Sequence, residues 1–160
     1  MVPTEGNVMP RLEVGDKAPD FALTDQHGNK VKLKDRKGRK TVVYFYPKAN
    51  TSGCTTQSCA LRDAEPDLRK LGADVIGISP DAPSAQLKFD DKYTLGFPLL
   101  ADEDHAVADA WGTWGEKSMY GKKYMGIVRS AFVVDEKGKI AAAFYKVSPK
   151  DTVPKVLSVL

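Results

Sequence analysis

The apolar positions of the chain fall into short runs of two different periods, and the two kinds alternate. Thr41 to Tyr46 (TVVYFY) and Ala73 to Ser79 (ADVIGIS) are β-branched and aromatic runs too short for helices, so they read as buried strands. Ser130 to Asp135 (SAFVVD) and Lys139 to Val147 (KIAAAFYKV) flank Glu136-Lys137-Gly138, which predicts an antiparallel hairpin closed by a tight turn. Near the start, FALTDQHGNKVKL sets His27-Gly28-Asn29 between two alternating stretches and predicts another hairpin. Helical patterns separate these strands. One runs from about Gly53 to Leu71, and Pro66 is expected to kink or divide it, because proline has no N–H for the helical ladder. Others run from Ser84 to Thr94, from a cap at Asp104 toward Trp111, and from Asp151 to Val159. This order predicts an α/β architecture: a mixed central sheet flanked by helices, with an N-terminal β-hairpin. A chain of 160 residues fits one domain spanning 1–160, with residues 1–13 as a loose lead-in.

Charge narrows the picture by exclusion. The 24 basic and 21 acidic residues leave a net charge of only +3, and the two signs are interleaved, which argues against a nucleic-acid partner. The densest basic run, Lys30 to Lys40, reads as a solvated strand and turn rather than a binding patch. No stretch approaches the ~20 apolar residues of a membrane span. The N-terminal MVPTEGNVMPRLEVG lacks a secretory apolar core, so the cytoplasm is the expected compartment.

The candidate chemistry lies in YFYPKANTSGCTTQSCALRD, which holds both cysteines, Cys54 and Cys59. The predicted strand ends at Pro47, and a helix follows from about Cys54. In open α/β sheets, sites gather just beyond the carboxyl ends of strands. A cysteine in a first helical turn faces unpaired N–H groups and the positive end of the helix dipole, which favour a thiolate. Along an α-helix, a five-residue separation places the two Cα atoms roughly 8.6 Å apart on faces about 140° apart. A disulfide needs less than about 7 Å. The two sulfurs therefore cannot bond while the helix is intact, and about one turn would have to unwind. That spacing describes a two-step redox cycle rather than a permanent staple, and three plainer readings stand beside it. A structural disulfide would close a very short loop and constrain little. Two independent cysteines can simply pack as small hydrophobes. A zinc site needs about four ligands, and His27 and His105 are far from the cysteines in sequence.

The segment YPKANTSGCTTQSC resembles the active-site motif of peroxiredoxins, Pro-x-x-x-Thr-x-x-Cys, with Pro47, Thr51 and Cys54 in register. A second cysteine five residues on resembles the peroxiredoxin Q branch, also called bacterioferritin comigratory protein. GDKAPDFAL, VIGISPD, FPLLADED and WGEKSMYGKKYMGIVRSAFVVDEKGKI extend the likeness over almost the whole chain, and the last block supplies Arg129. Two positions depart from the branch. Ser52 replaces its usual proline, and Gln57 replaces an acidic residue, which removes a negative charge near the thiolate.

The resemblance implies a thioredoxin-like fold and a thioredoxin-dependent thiol peroxidase that needs no cofactor and acts as a monomer in antioxidant defence. It implies that Cys54 is the peroxidatic thiolate and Cys59 the resolving thiol of an intramolecular disulfide. Thr51, Arg129 and the backbone near Gly53 and Cys54 would bind the hydroperoxide and stabilise charge on its leaving oxygen, and Pro47 would shield the sulfur. Two other functions compete: a dithiol–disulfide oxidoreductase acting on proteins, which normally uses C-x-x-C, and a peroxide-responsive redox sensor. Trp111, Trp114, Met119, Tyr120 and Tyr124 read as packing before substrate surface, and His27 and His105 carry no catalytic role.

Overall fold

The computed structural model describes residues 11–160. Of the expected lead-in, residues 1–10 lie outside the described residues, and Leu12 is tied down by donating its N–H to the Tyr145 hydroxyl at 2.8 Å.

The centre is β3 (Lys40–Phe45), which pairs in parallel with β4 (Ala73–Ser79) and antiparallel with β8 (Ser130–Val134). The run Val42 to Tyr46 is buried on both faces, which is why it is continuously apolar rather than alternating. Val42, Tyr44 and Tyr46 join one apolar cluster, and Val43 and Phe45 join the other. Strands β1 (Ala22–Thr24) and β2 (Lys30–Lys32) form the expected N-terminal hairpin, and β8 and β9 (Ile140–Phe144) form the late one. Together with β5 (Leu99–Ala101) they complete a seven-stranded mixed sheet in the order β2-β1-β5-β4-β3-β8-β9.

Helices cover both faces. Leu61 and Leu68 of α1 (Ser52–Lys70), Phe89 of α2 (Pro83–Tyr93) and Val156 of α4 (Thr152–Leu157) fill the first cluster. Ala108 of α3 (Ala106–Ala110) and the adjoining Trp111 fill the second. Pro66 does not divide α1, which runs unbroken from Ser52 to Lys70. Leu61 and Leu68, fully buried on either side of the proline, hold the helix to the sheet while one ladder bond is lost.

Three strands escaped the hydrophobic pattern. β5 has only three residues. The pair β6 (Trp114–Met119) and β7 (Lys122–Ile127) forms a separate two-stranded ribbon rich in exposed polar residues. Its turn, Tyr120-Gly121, has φ values of 53° and 78°, the left-handed pair that matches strand twist in a two-residue hairpin.

The cap of α3 also differs from expectation. Asp104 accepts only the Ala106 N–H, at 3.1 Å, whereas the buried Asp102 accepts those of Val107 at 3.1 Å and Ala108 at 2.9 Å. Burial pushes the Asp102 carboxyl above its usual pKa, and the two amides oppose that shift. Asp102→Ala is therefore expected to cost about 1–2 kcal/mol, the upper part of the range for a lost cap. The exposed Asp104→Ala should stay within about 0.5 kcal/mol. Urea midpoints at constant m-value for both variants check the assignment.

Candidate active site around Cys54

The site forms where the chain leaves β3. Past Phe45 it runs through Pro47 to Thr51, the N-cap of α1, with Asn50 in a left-handed conformation at φ 66°. The end of β4 fixes this loop. Asp81 Oδ2 accepts the Ala49 N–H at 2.7 Å and the Ser79 hydroxyl at 2.6 Å.

Cys54 lies in the first turn of α1 and is fully buried. Its Sγ accepts a hydrogen bond from Arg129 Nη1 at 3.4 Å, although the two residues are 75 positions apart. The same nitrogen donates to Gln57 Oε1 at 2.9 Å. Gln57, three residues after Cys54 and so on the same helical face, is also fully buried. Its amide nitrogen donates to Thr152 Oγ1 at 3.0 Å, and the Thr152 hydroxyl donates in turn to the Ser148 carbonyl at 2.9 Å. A continuous hydrogen-bond chain thus ties the guanidinium to α4.

Gly53 completes the contact. A Cβ there would stand 3.0 Å from Arg129 Nη2 and 3.5 Å from Pro149 Cγ, so any side chain would press on the guanidinium. Beneath the helix, the Tyr44 hydroxyl shares a hydrogen bond of 2.7 Å with Ser58 Oγ. Burial pushes the Tyr44 pKa far above its ordinary value, so the phenol stays neutral.

On the outer side, Arg129 lines a cleft of about 490 Å³ together with Pro47, Glu116, Lys117 and Lys146. Lys117 is half-buried and donates from Nζ to the Ile127 carbonyl at 2.7 Å. Burial first, and then the charge of Arg129, lower its pKa, while Cys54 pulls it up.

Of the residues singled out in the sequence, the fold brings Cys54, Arg129 and Gly53 into contact and sets Pro47 in the cleft beside Arg129. Thr51 stands at the start of the helix, but its hydroxyl donates to the Lys48 carbonyl at 2.8 Å. Cys59 is half-buried farther along α1 and packs against the same apolar cluster as Cys54; both thiols are free. Sequence reasoning gave Gln57 only a charge effect and missed it as the brace of Arg129. The three-residue spacing from Cys54 was the available signal. Lys117 offered none, because the register of the β6–β7 ribbon places it.

Residues 14–143 match the AhpC/TSA family. The chain is 52% identical over 133 residues to peroxiredoxin Bcp of Escherichia coli strain K12, covering 83% of this chain and 85% of that protein. It is 45% identical over 149 residues to peroxiredoxin Bcp of Bacillus subtilis, covering 93% and 95%. The solved structure of the bacterioferritin comigratory protein of Xanthomonas campestris superposes with a TM-score of 0.84 at 33% identity, over 91% of this chain and 96% of the other. Family match, near full-length relatives and a shared fold agree: the chain belongs to the AhpC/TSA family, and its relatives there are the Bcp and Q-type peroxiredoxins.

Proposed function

We propose that this protein reduces hydroperoxides with Cys54 as the attacking thiolate, Cys59 as the resolving thiol and a thioredoxin-type dithiol as the final reductant. The observation that carries the reading is the guanidinium nitrogen 3.4 Å from the Cys54 sulfur in a chain of peroxidase ancestry. A permanent cation at that distance stabilises negative charge on sulfur and on the oxygen that departs from it.

In the first step Sγ attacks the terminal oxygen of the hydroperoxide. An S–O bond forms, the O–O bond breaks, and the leaving oxygen takes a proton to become water or an alcohol. Sulfur is oxidised to a sulfenic acid. Arg129 and the N–H groups at Gly53 and Cys54 stabilise the charge. Thr51, whose hydrogen is committed to Lys48, offers its lone pairs to the hydroperoxide O–H. Pro47 limits water at the mouth of the site. In the second step the Cys59 thiol displaces water from the sulfenic acid and forms the Cys54–Cys59 disulfide, which a dithiol reduces by exchange. The alkyl peroxide reduction activity ascribed to the Xanthomonas relative favours organic hydroperoxides among the substrates. We place the protein in the cytoplasm as a single-domain monomer.

Cys54→Ser should lower peroxide consumption to background, because a serine hydroxyl is a far weaker nucleophile near neutral pH. Turnover persisting in a thioredoxin-coupled assay would sink the mechanism.

The second step requires the start of α1 to melt. Amides from Thr51 to Leu61 should be protected from hydrogen exchange in reduced protein and lose protection after peroxide treatment. Cys59→Ser should keep that protection, react once, and then over-oxidise to the sulfinic acid, which mass spectrometry detects.

Gln57→Ala separates the two steps. It removes the brace of Arg129 and should slow sulfenic acid formation about tenfold, the equivalent of one charge-assisted hydrogen bond. It also frees the helix from α4, so disulfide formation should speed up. Rapid-mixing fluorescence resolves both phases, and a uniform slowing of the two would show that Gln57 does not hold the helix.

A further inference from the structure

The basic run from Lys30 to Lys40 plays no part in the cysteine chemistry. The fold carries some of it to a pocket of about 250 Å³ at the far end of β3. Thr41 lines this pocket near the start of the strand, and Pro47 follows its end, so about 20 Å of strand separates it from the cysteine site.

The inner wall is apolar: Ala18, Leu33 and Val134 all belong to the second core cluster. Between them stands Thr41, paired across the sheet with Val134 and only 1% exposed. Its hydroxyl is buried and has no hydrogen-bond partner, the one such side-chain atom found among the described residues. Such a group costs roughly 1–3 kcal/mol unless something satisfies it.

The rim is cationic. Lys17, Lys34, Lys37 and Lys137 line it, and none of them makes an ion pair among the described residues. Arg36 is also present but lies 3.7 Å from Asp74. The two carboxylates at the rim each spend one oxygen on the backbone. Asp20 Oδ1 accepts the N–H groups of Phe21 at 2.9 Å and Lys34 at 3.2 Å. Asp135 Oδ1 accepts those of Lys137 and Lys139, both at 2.9 Å. An apolar wall, a buried hydroxyl in need of a partner and an excess of unpaired ammonium groups describe a ligand with matching parts. The volume, just under the ~300 Å³ at which small-molecule sites begin, keeps that ligand small.

We propose that this pocket binds a small organic anion. Its apolar body lies against Ala18, Leu33 and Val134, its charge sits among the rim lysines, and one polar atom hydrogen-bonds the Thr41 hydroxyl. The site is independent of the cysteine chemistry.

Phenyl phosphate, which joins an apolar ring to an anion, is the probe. Titrated into isotope-labelled full-length protein, it should give saturable amide shifts at Thr41, Val134 and Gly138. Inorganic phosphate and benzyl alcohol, each with half of the recognised chemistry, should bind at least tenfold more weakly. Thr41→Val should weaken phenyl phosphate several-fold, while Thr41→Ser, which keeps the hydroxyl, should not. The double variant Lys34→Glu with Lys37→Glu should weaken it at least tenfold and leave peroxide turnover unchanged. Inorganic phosphate binding as tightly as phenyl phosphate would reduce the pocket to a diffuse surface field and overturn the proposal. So would shifts that never saturate, or equal affinity in the wild type, Thr41→Val and the double glutamate variant.

Discussion

The site depends on how one half-buried positive charge is satisfied. A guanidinium drawn out of water loses several kcal/mol of hydration unless nearby groups replace it. Arg129 finds the Cys54 sulfur and the Gln57 carbonyl on one nitrogen, and the bare backbone of Gly53 leaves room for the other. Its own carbonyl accepts the Val147 N–H at 3.0 Å, which pins the start of β8 to the chain beyond β9. Through Gln57 and Thr152 the same charge reaches α4. The first turns of α1, the start of β8 and the C-terminal helix are therefore positioned by one another, with the cation at the junction.

That arrangement places two demands on α1. Its N-terminal turns must hold Cys54 against Arg129, yet the proposed disulfide needs them to let go. The bonds that would break lie between or beside the cysteines: Gln57 to Arg129, Gln57 to Thr152, and Ser58 to Tyr44. Each contributes on the order of 1 kcal/mol net, a barrier that covalent chemistry can overcome. The C-terminal half of the helix is held differently. Leu61 and Leu68 are fully buried in the core cluster, so melting is confined to the turns that carry the cysteines.

The distribution of charge follows from the fold in the same way. A net charge of +3 over 160 residues says little about location. The β6–β7 ribbon brings Lys117 toward Arg129, so the cleft beside the cysteine is cationic and partly shielded from water. A second set of lysines, from the loops around β2 and β9, gathers at the opposite end of the sheet. In sequence both sets are interleaved with acids. In space the two carboxylates at that end, Asp20 and Asp135, each turn one oxygen to backbone amides, and the lysines around them make no ion pair among the described residues.

What the sequence determined by itself was local. The strands β3 and β4 were legible because burial on both faces demands continuous β-branched and aromatic residues, and both hairpins were legible from their turn residues. The cysteine at the start of a helix after a strand was legible because a short loop leaves the chain little choice. The tertiary structure decided the rest. Asp102 rather than Asp104 caps α3, because burial strengthens its two amide bonds. Pro66 leaves α1 unbroken, because packing on both sides outweighs one missing hydrogen bond. The ribbon β6–β7 has no apolar stripe of its own and owes its recognition to backbone pairing. Gln57 acquires its part only when Arg129 arrives from 72 positions away and Thr152 from 95. Hydrophobic period and turn chemistry act over a few residues and can be read along the chain, whereas the satisfaction of a buried charge is settled only among groups that folding brings together.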